Sequence, residues 1–171
     1  MSVPVKPPEN AALDVASDAE AFLARHRPRQ LGAVPMFAAV TSELVKHVGV
    51  EQIRSLFYLA GARIAEQNLL QGIDRLGEVE RAARDLLARH DWGWLRVEQH
   101  DDWVDFVHGD APLEAWFGED CAAWAPALFE GLYCAWLRQL GAEDRLQLRQ
   151  VASTDGRHRE LRFRLMHESH F

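Results

Sequence analysis

The run from Cys121 to Leu137, CAAWAPALFEGLYCAWL, carries two tryptophans, Pro126 and a single charge at Glu130. A helix that apolar has no face suited to water, so it must be covered on more than one side. The reading is that it packs the subunit's own core on one side and a sister subunit on the other. Its length approaches the minimum for a membrane span, but Pro126, Glu130 and Gly131 interrupt it and charges flank it closely, so no membrane span is expected.

What covers this helix is read from the rest of the chain. With 171 residues the chain suits one compact domain whose core needs no disulfide. Residues 1–32 hold four of the seven prolines (Pro4, Pro7, Pro8, Pro28) and the basic cluster Arg25-His26-Arg27-Pro28-Arg29. They read as a mobile arm, with a short helix around Asp18 to Leu23, ahead of a single domain over 33–171. From Val34 the apolar positions Phe37, Ala38, Thr41, Leu44, Val45 and Val48 repeat with helical spacing, and Gly49 offers a stop. A second run follows at Ile53, Leu56, Phe57, Ala60 and Ile64, and the two are expected to pack as a helical hairpin. Leu76, Val79, Ala83, Leu86 and Leu87 predict a third helix from about Arg75 to His90, with Asp74 as N-cap.

The period then switches to alternation. Trp94 to Glu98 and Val104 to His108 bracket Asp101-Asp102, and Leu146 to Arg149 and Leu161 to Leu165 bracket Ser153-Thr154-Asp155-Gly156. Each strand places apolar side chains on one face and Arg, Glu, Asp or Gln on the other. The fold class is therefore α+β, with helices packed on one face of a four-stranded antiparallel sheet. The charged face, with Arg96, Glu98, Asp105, Arg149, Arg162 and Arg164, reads as a solvated surface.

Chemistry is sparse. There is no glycine-rich phosphate loop, G-x-S-x-G, H-E-x-x-H or C-x-x-C, so neither an enzyme nor a cofactor is expected. Cys121 and Cys134 read as small buried hydrophobes. His108-Gly109-Asp110 with Cys121 offers metal-type ligands at a spacing that matches no standard zinc site, and His167 and His170 read as solvated. The net charge of −7 opposes nucleic acid and anionic membranes as partners. The six tryptophans fall between Trp92 and Trp136. Trp124, Phe129, Tyr133 and Trp136 are assigned to the core or an oligomer interface. Trp103, on the polar strand face, and Trp116, in a predicted loop, are assigned to surface recognition of a sugar or a partner, because indoles stack on sugars and anchor interfaces.

Trp124, Pro126, then Glu130-Gly131-Leu132-Tyr133 and Trp136 resemble, in order and spacing, the D subunit of bacterial cellulose synthase complexes. Thr41-Ser42-Glu43 through Val48-Gly49-Val50-Glu51 and Gly61-Ala62-Arg63-Ile64 resemble that protein's paired first helices, and Asp91-Trp92-Gly93 resembles its Gly-Trp-Gly entry to the sheet. The resemblance covers about Thr41 to Trp136, the final hairpin agreeing in pattern only. Pro126 sits a position away from the family's. The arm before Val34 is longer and richer in proline, so no glucan-contacting residue of the family's N-terminus is carried over.

The resemblance implies a non-catalytic accessory subunit that helps export, align and crystallise β-1,4-glucan chains in biofilm-forming bacteria. It implies self-assembly of dimers into a ring-like homo-octamer, other cellulose synthase subunits and a proline-rich protein as partners, and contact with the glucan chain. The N-terminus shows no signal-peptide pattern and the two thiols read as free, which favours the cytoplasm over the periplasm. A competing expectation is a small-ligand-binding or sensor domain of the vesicle-tethering and vinyl-reductase type, with a hydrophobic pocket between helices and sheet.

Overall fold

The computed structural model describes residues 34–70, 72–73, 75–143, 145–151, 160–167 and 169. The arm expected over 1–32 with its short helix, Asp74, His170 and the turn around Ser153 to Gly156 lie outside the described residues. Among those described, three helices come first: α1 (Val34–His47), α2 (Val50–Gln67) and α3 (Leu76–Arg89). Strands β1 (Trp94–Gln99) and β2 (Val104–Gly109) follow, then a short α4 (Leu113–Phe117), a 3-10 turn (Glu119–Ala123) and α5 (Ala127–Gln139). Strands β3 (Leu146–Val151) and β4 (Glu160–His167) close the order, so the α+β class stands. No helix among them is long and apolar enough to cross a membrane.

Local chemistry explains the boundaries with three corrections. Gly49 does not stop α1, which ends at His47; it is the N-cap residue of α2 in an extended conformation. The residue at the N-cap of α3 is Arg75, without a side-chain cap. Trp116 lies in helix rather than loop, because Pro112 sets up a single short turn that no hydrophobic period announces. Pro126 plays the corresponding part at the start of α5, where its missing N–H costs nothing.

The two strand pairs form one antiparallel sheet of order β1-β2-β4-β3. Opposed partners share a face, so Leu95 with His108, Val97 with Phe106, Phe106 with Phe163 and Leu148 with Leu165 all point inward. Against them lies α5, with Phe129, Leu132, Tyr133 and Trp136 buried. Tyr133 meets Phe106 at 5.6 Å and, edge-on, Phe163 at 5.9 Å. These rings fill the space between helix and sheet where a sensor-type pocket was expected.

The opposite side of α5 is covered by α2. A Cβ at Gly61 would sit on the Leu128 backbone, 2.8 Å from the Leu132 nitrogen, and a Cβ at Gly131 would lie 2.7 Å from the Tyr58 carbonyl carbon. Only glycine at both positions lets the two backbones meet. Arg54 and Glu130 form an ion pair across the crossing, and Trp136 Nε1 donates to the Asn68 carbonyl oxygen at 2.9 Å. The apolar helix is thus buried by its own chain over most of its length, from Ala127 to Leu137. This corrects the expectation that one of its faces meets a sister subunit. The helical hairpin is corrected too: α1 barely touches α2 and packs instead on α4, while α2 spends its inner face on α5.

Gly61→Ala or Gly131→Ala is expected to cost about 1–3 kcal/mol or more, because the clash is with backbone that cannot rotate away. Gly77→Ala, where a Cβ meets nothing within 4 Å, is expected to leave stability unchanged or raise it by up to about 1 kcal/mol. Trp136→Ala is expected to cost about 3–5 kcal/mol. Urea melts of the four proteins check this, and parental stability in either of the first two variants contradicts it.

Candidate functional site

The outward face of the sheet is an organised ion network rather than a loose solvated surface. Register places Glu98, Asp105 and Arg164 in one row across β1, β2 and β4, and Arg96, Val107 and Arg162 in the next. Arg164 grips Asp105 with two bonds, Nε to Oδ1 at 2.8 Å and Nη2 to Oδ2 at 3.0 Å. Arg162 Nη1 bridges Asp105 Oδ2 at 3.0 Å and Glu98 Oε2 at 2.7 Å, and Arg96 holds Glu98 from the other side at 2.8 Å. Asp105 is only 1 % exposed. Burial alone would raise its carboxyl, but the hydrogen bonds from Arg164 and Arg162 prevail and hold it below the ordinary range. The Arg162 hydrogen bond likewise lowers Glu98.

Sequence reading did not single out Glu98, His100 and Asp105 as a set, yet their ligand-type atoms lie within 4.8 Å of one another. Both carboxylates are already neutralised by guanidinium groups, so the donor set suits an ion-pair lattice better than a cation. Trp103 lies at the edge of this network. The Arg164 guanidinium sits over its ring at 4.6 Å, the His100 imidazole stacks on it at 5.0 Å, and its Nε1 is buried without a partner among the described residues. Its ring is engaged by its own chain. Trp116, half-buried on α4, turns edge-on to Trp92 and to Phe117, each at 5.9 Å. The two indoles assigned to glucan or partner contact therefore sit in different environments.

Trp124, Phe129, Tyr133 and Trp136 come together as core. Trp124 packs on Phe57 at 4.6 Å, and Phe129 and Tyr133 stack at 6.3 Å. Cys121 and Cys134 are buried and free, and burial pushes the Cys121 thiol up to about 11, which leaves it unreactive.

His108 is fully buried with both ring nitrogens committed. Nε2 lies 2.7 Å from the Trp92 carbonyl oxygen, which can only accept. The neutral ring therefore carries its proton on Nε2, and Nδ1 accepts from the Tyr133 hydroxyl. This explains the position of His108 at a strand end: it ties β2 to α5 and to the entry of β1, and it is not a ligand. Burial lowers its pKa to about 4, and the same desolvation raises Tyr133 well above the usual phenol range.

Large apolar side chains are left uncovered on two helices. Met36, Phe37 and Val40 form a stripe on α1 and Leu56 and Leu59 another on α2, each residue more than half exposed. A hollow of about 430 Å³ runs beside Val40, Leu44 and His47. The neighbouring charges are spent within their own helices, Lys46 on Glu43 at 2.6 Å and Arg63 on Glu66 at 2.8 Å. A separate cleft opens between the end of α2 and α3.

The family model for the D subunit of cellulose synthase matches residues 19–164 of the chain. No curated protein matches it.

The His108 arrangement carries a pH dependence of fixed sign. A folded-state pKa below 6.5 means its contribution is present above pH 6.5 and is lost as pH falls toward 4. The expected loss over that window is about 3 kcal/mol, since each pKa unit is worth about 1.4 kcal/mol. Asp105 and Glu98 are lowered as well, so their contributions disappear in the same direction at lower pH still. Denaturant melts from pH 7 to pH 4 test this, and a flat profile contradicts it.

Proposed function

The chain belongs to the family of cellulose synthase D subunits, and from that premise we propose that it is a non-catalytic scaffold of the complex, assembled into a ring-like homo-octamer of 19.4 kDa protomers. Family membership makes it an accessory subunit in cellulose synthesis, working beside the other subunits of a cellulose synthase complex. The octamer, built from dimers, aligns emerging β-1,4-glucan chains for export and crystallisation, and so serves biofilm formation. A proline-rich protein organises the assembly in the cytoplasm.

The observation that carries the scaffold reading is the apolar surface on α1 and α2. Exposed Met36, Phe37, Val40, Leu56 and Leu59 cost solvation in isolation, in a chain whose core is already complete. Since Lys46 and Arg63 are neutralised locally, this surface has no strong electrostatic preference and suits another copy of itself. A non-catalytic role is supported by inert chemistry, with His108 locked in hydrogen bonds and the Cys121 thiol raised by burial. Two buried, unpaired thiols favour a reducing compartment.

Phe37→Asp and Leu59→Asp test the reading, because both positions are exposed and leave the core untouched. Light scattering on a sizing column is expected to give an octamer for the parent and smaller species for the variants, with melting within about 0.5 kcal/mol of the parent's protomer stability. Variants that keep the full mass contradict this placement of the interface.

A further inference from the structure

Each outer strand of the sheet meets a carboxylate from a helix. Antiparallel pairing commits the N–H groups of alternate residues to the neighbouring strand and points the others away from the sheet. In β1 the outward set is Leu95, Val97 and Gln99, and in β3 it is Leu146, Leu148 and Gln150. The central donor of β1, the Val97 N–H, donates to Glu80 Oε2 of α3 at 3.1 Å, while Arg84 holds Oε1 at 3.0 Å. On the far edge the Gln150 N–H donates to Glu130 Oε2 of α5 at 3.4 Å, and the Leu146 N–H to the Glu143 carbonyl oxygen at 2.9 Å. In each half of the sheet, the helix that precedes a hairpin thus sends a glutamate to the outward edge of that hairpin's first strand.

An open edge is a template for another strand, and the nearest source is the same strand in a second copy. The commoner safeguards are missing from β1 and β3: neither holds a proline or a lysine, and neither register contains a bulge. A carboxylate on the outward N–H occupies the donor that an arriving carbonyl needs, and it offers that carbonyl only a second acceptor. We infer that Glu80 and Glu130 guard the sheet edges, barring copies from joining strand to strand and leaving contact between copies to the helices. Glu80 is the cleaner guard to remove, because Glu130 also pairs with the partly buried Arg54. The guards act on an assembly or a monomer alike, so they do not rest on the octamer.

The test compares the full chain with Glu80→Ala, Glu80→Gln, and Glu80→Ala combined with Val97→Pro, by light scattering and by hydrogen exchange over β1. Glutamine keeps an acceptor for Val97, and proline removes the donor that needs one. At low concentration β1 of Glu80→Ala is expected to exchange about tenfold faster than in the parent, as loss of one hydrogen bond implies. As concentration rises its mass is expected to grow beyond the parent's, while Glu80→Gln and the double variant keep the parent's mass. A Glu80→Ala protein with the parent's mass at every concentration overturns the inference. So does growth in Glu80→Gln, which makes charge rather than the hydrogen bond the barrier, or growth in the double variant, which makes the cause a general loss of fold. A parent that stays monomeric contradicts the scaffold reading and leaves the comparison of variants intact.

Discussion

The backbone crossing of α2 and α5 at Gly61 and Gly131 is the constraint on which the rest of the fold depends. A side chain on either glycine would strike the partner's main chain, so the close approach exists only while both stay bare. Bringing the helices together seats Glu130 against Arg54 and lets its Oε2 reach the Gln150 amide of β3 at 3.4 Å. It also places the Trp136 indole under the end of α2. Burial outweighs the guanidinium and leaves the Glu130 carboxyl above its usual range, so this polar link orders the junction at some electrostatic cost. The opposite side of α5 is then free to carry Phe129 and Tyr133 into the sheet.

From that arrangement follows where the protein can meet its surroundings. Because α5 is enclosed by α2 and the sheet, the most apolar segment of the sequence has no face to offer a partner. Uncovered apolar area lies on α1, which packs mainly on α4, and on the outer side of α2. The sheet's outer face is closed to simple docking for a different reason. Its carboxylates are shared among Arg96, Arg162 and Arg164, and breaking that sharing would leave buried Asp105 uncompensated. The exposed apolar stripes, the ion network and the cleft thus occupy different parts of the surface.

The secondary structure was largely legible because periodicity reports which face of an element must be covered. Alternation at Trp94 to Glu98 and Leu161 to Leu165, and the spacing of Val79, Ala83 and Leu86, required those elements whatever their neighbours. Periodicity does not say what does the covering. So α1 and α2 read as a hairpin although each packs elsewhere, and α5 read as needing a sister subunit although Gly61 supplies the cover from the same chain. Asp105 belonged on the polar face by alternation, but its burial depends on the strand register that brings Arg162 and Arg164 over it. The cleft was invisible for the same reason: Gln67, Asp85 and Trp136 converge only in three dimensions. Gly61 and Gly131, which lie inside two of the motifs that carry the resemblance, are the glycines that the crossing of α2 and α5 requires.

The most direct test of the proposed contact between copies is hydrogen exchange measured at rising protein concentration. The account predicts that amide protection grows in α1 and around Leu56 and Leu59, while α5 is slow to exchange at every concentration. Protection that grows in α5 or on the sheet with α1 unchanged would contradict it.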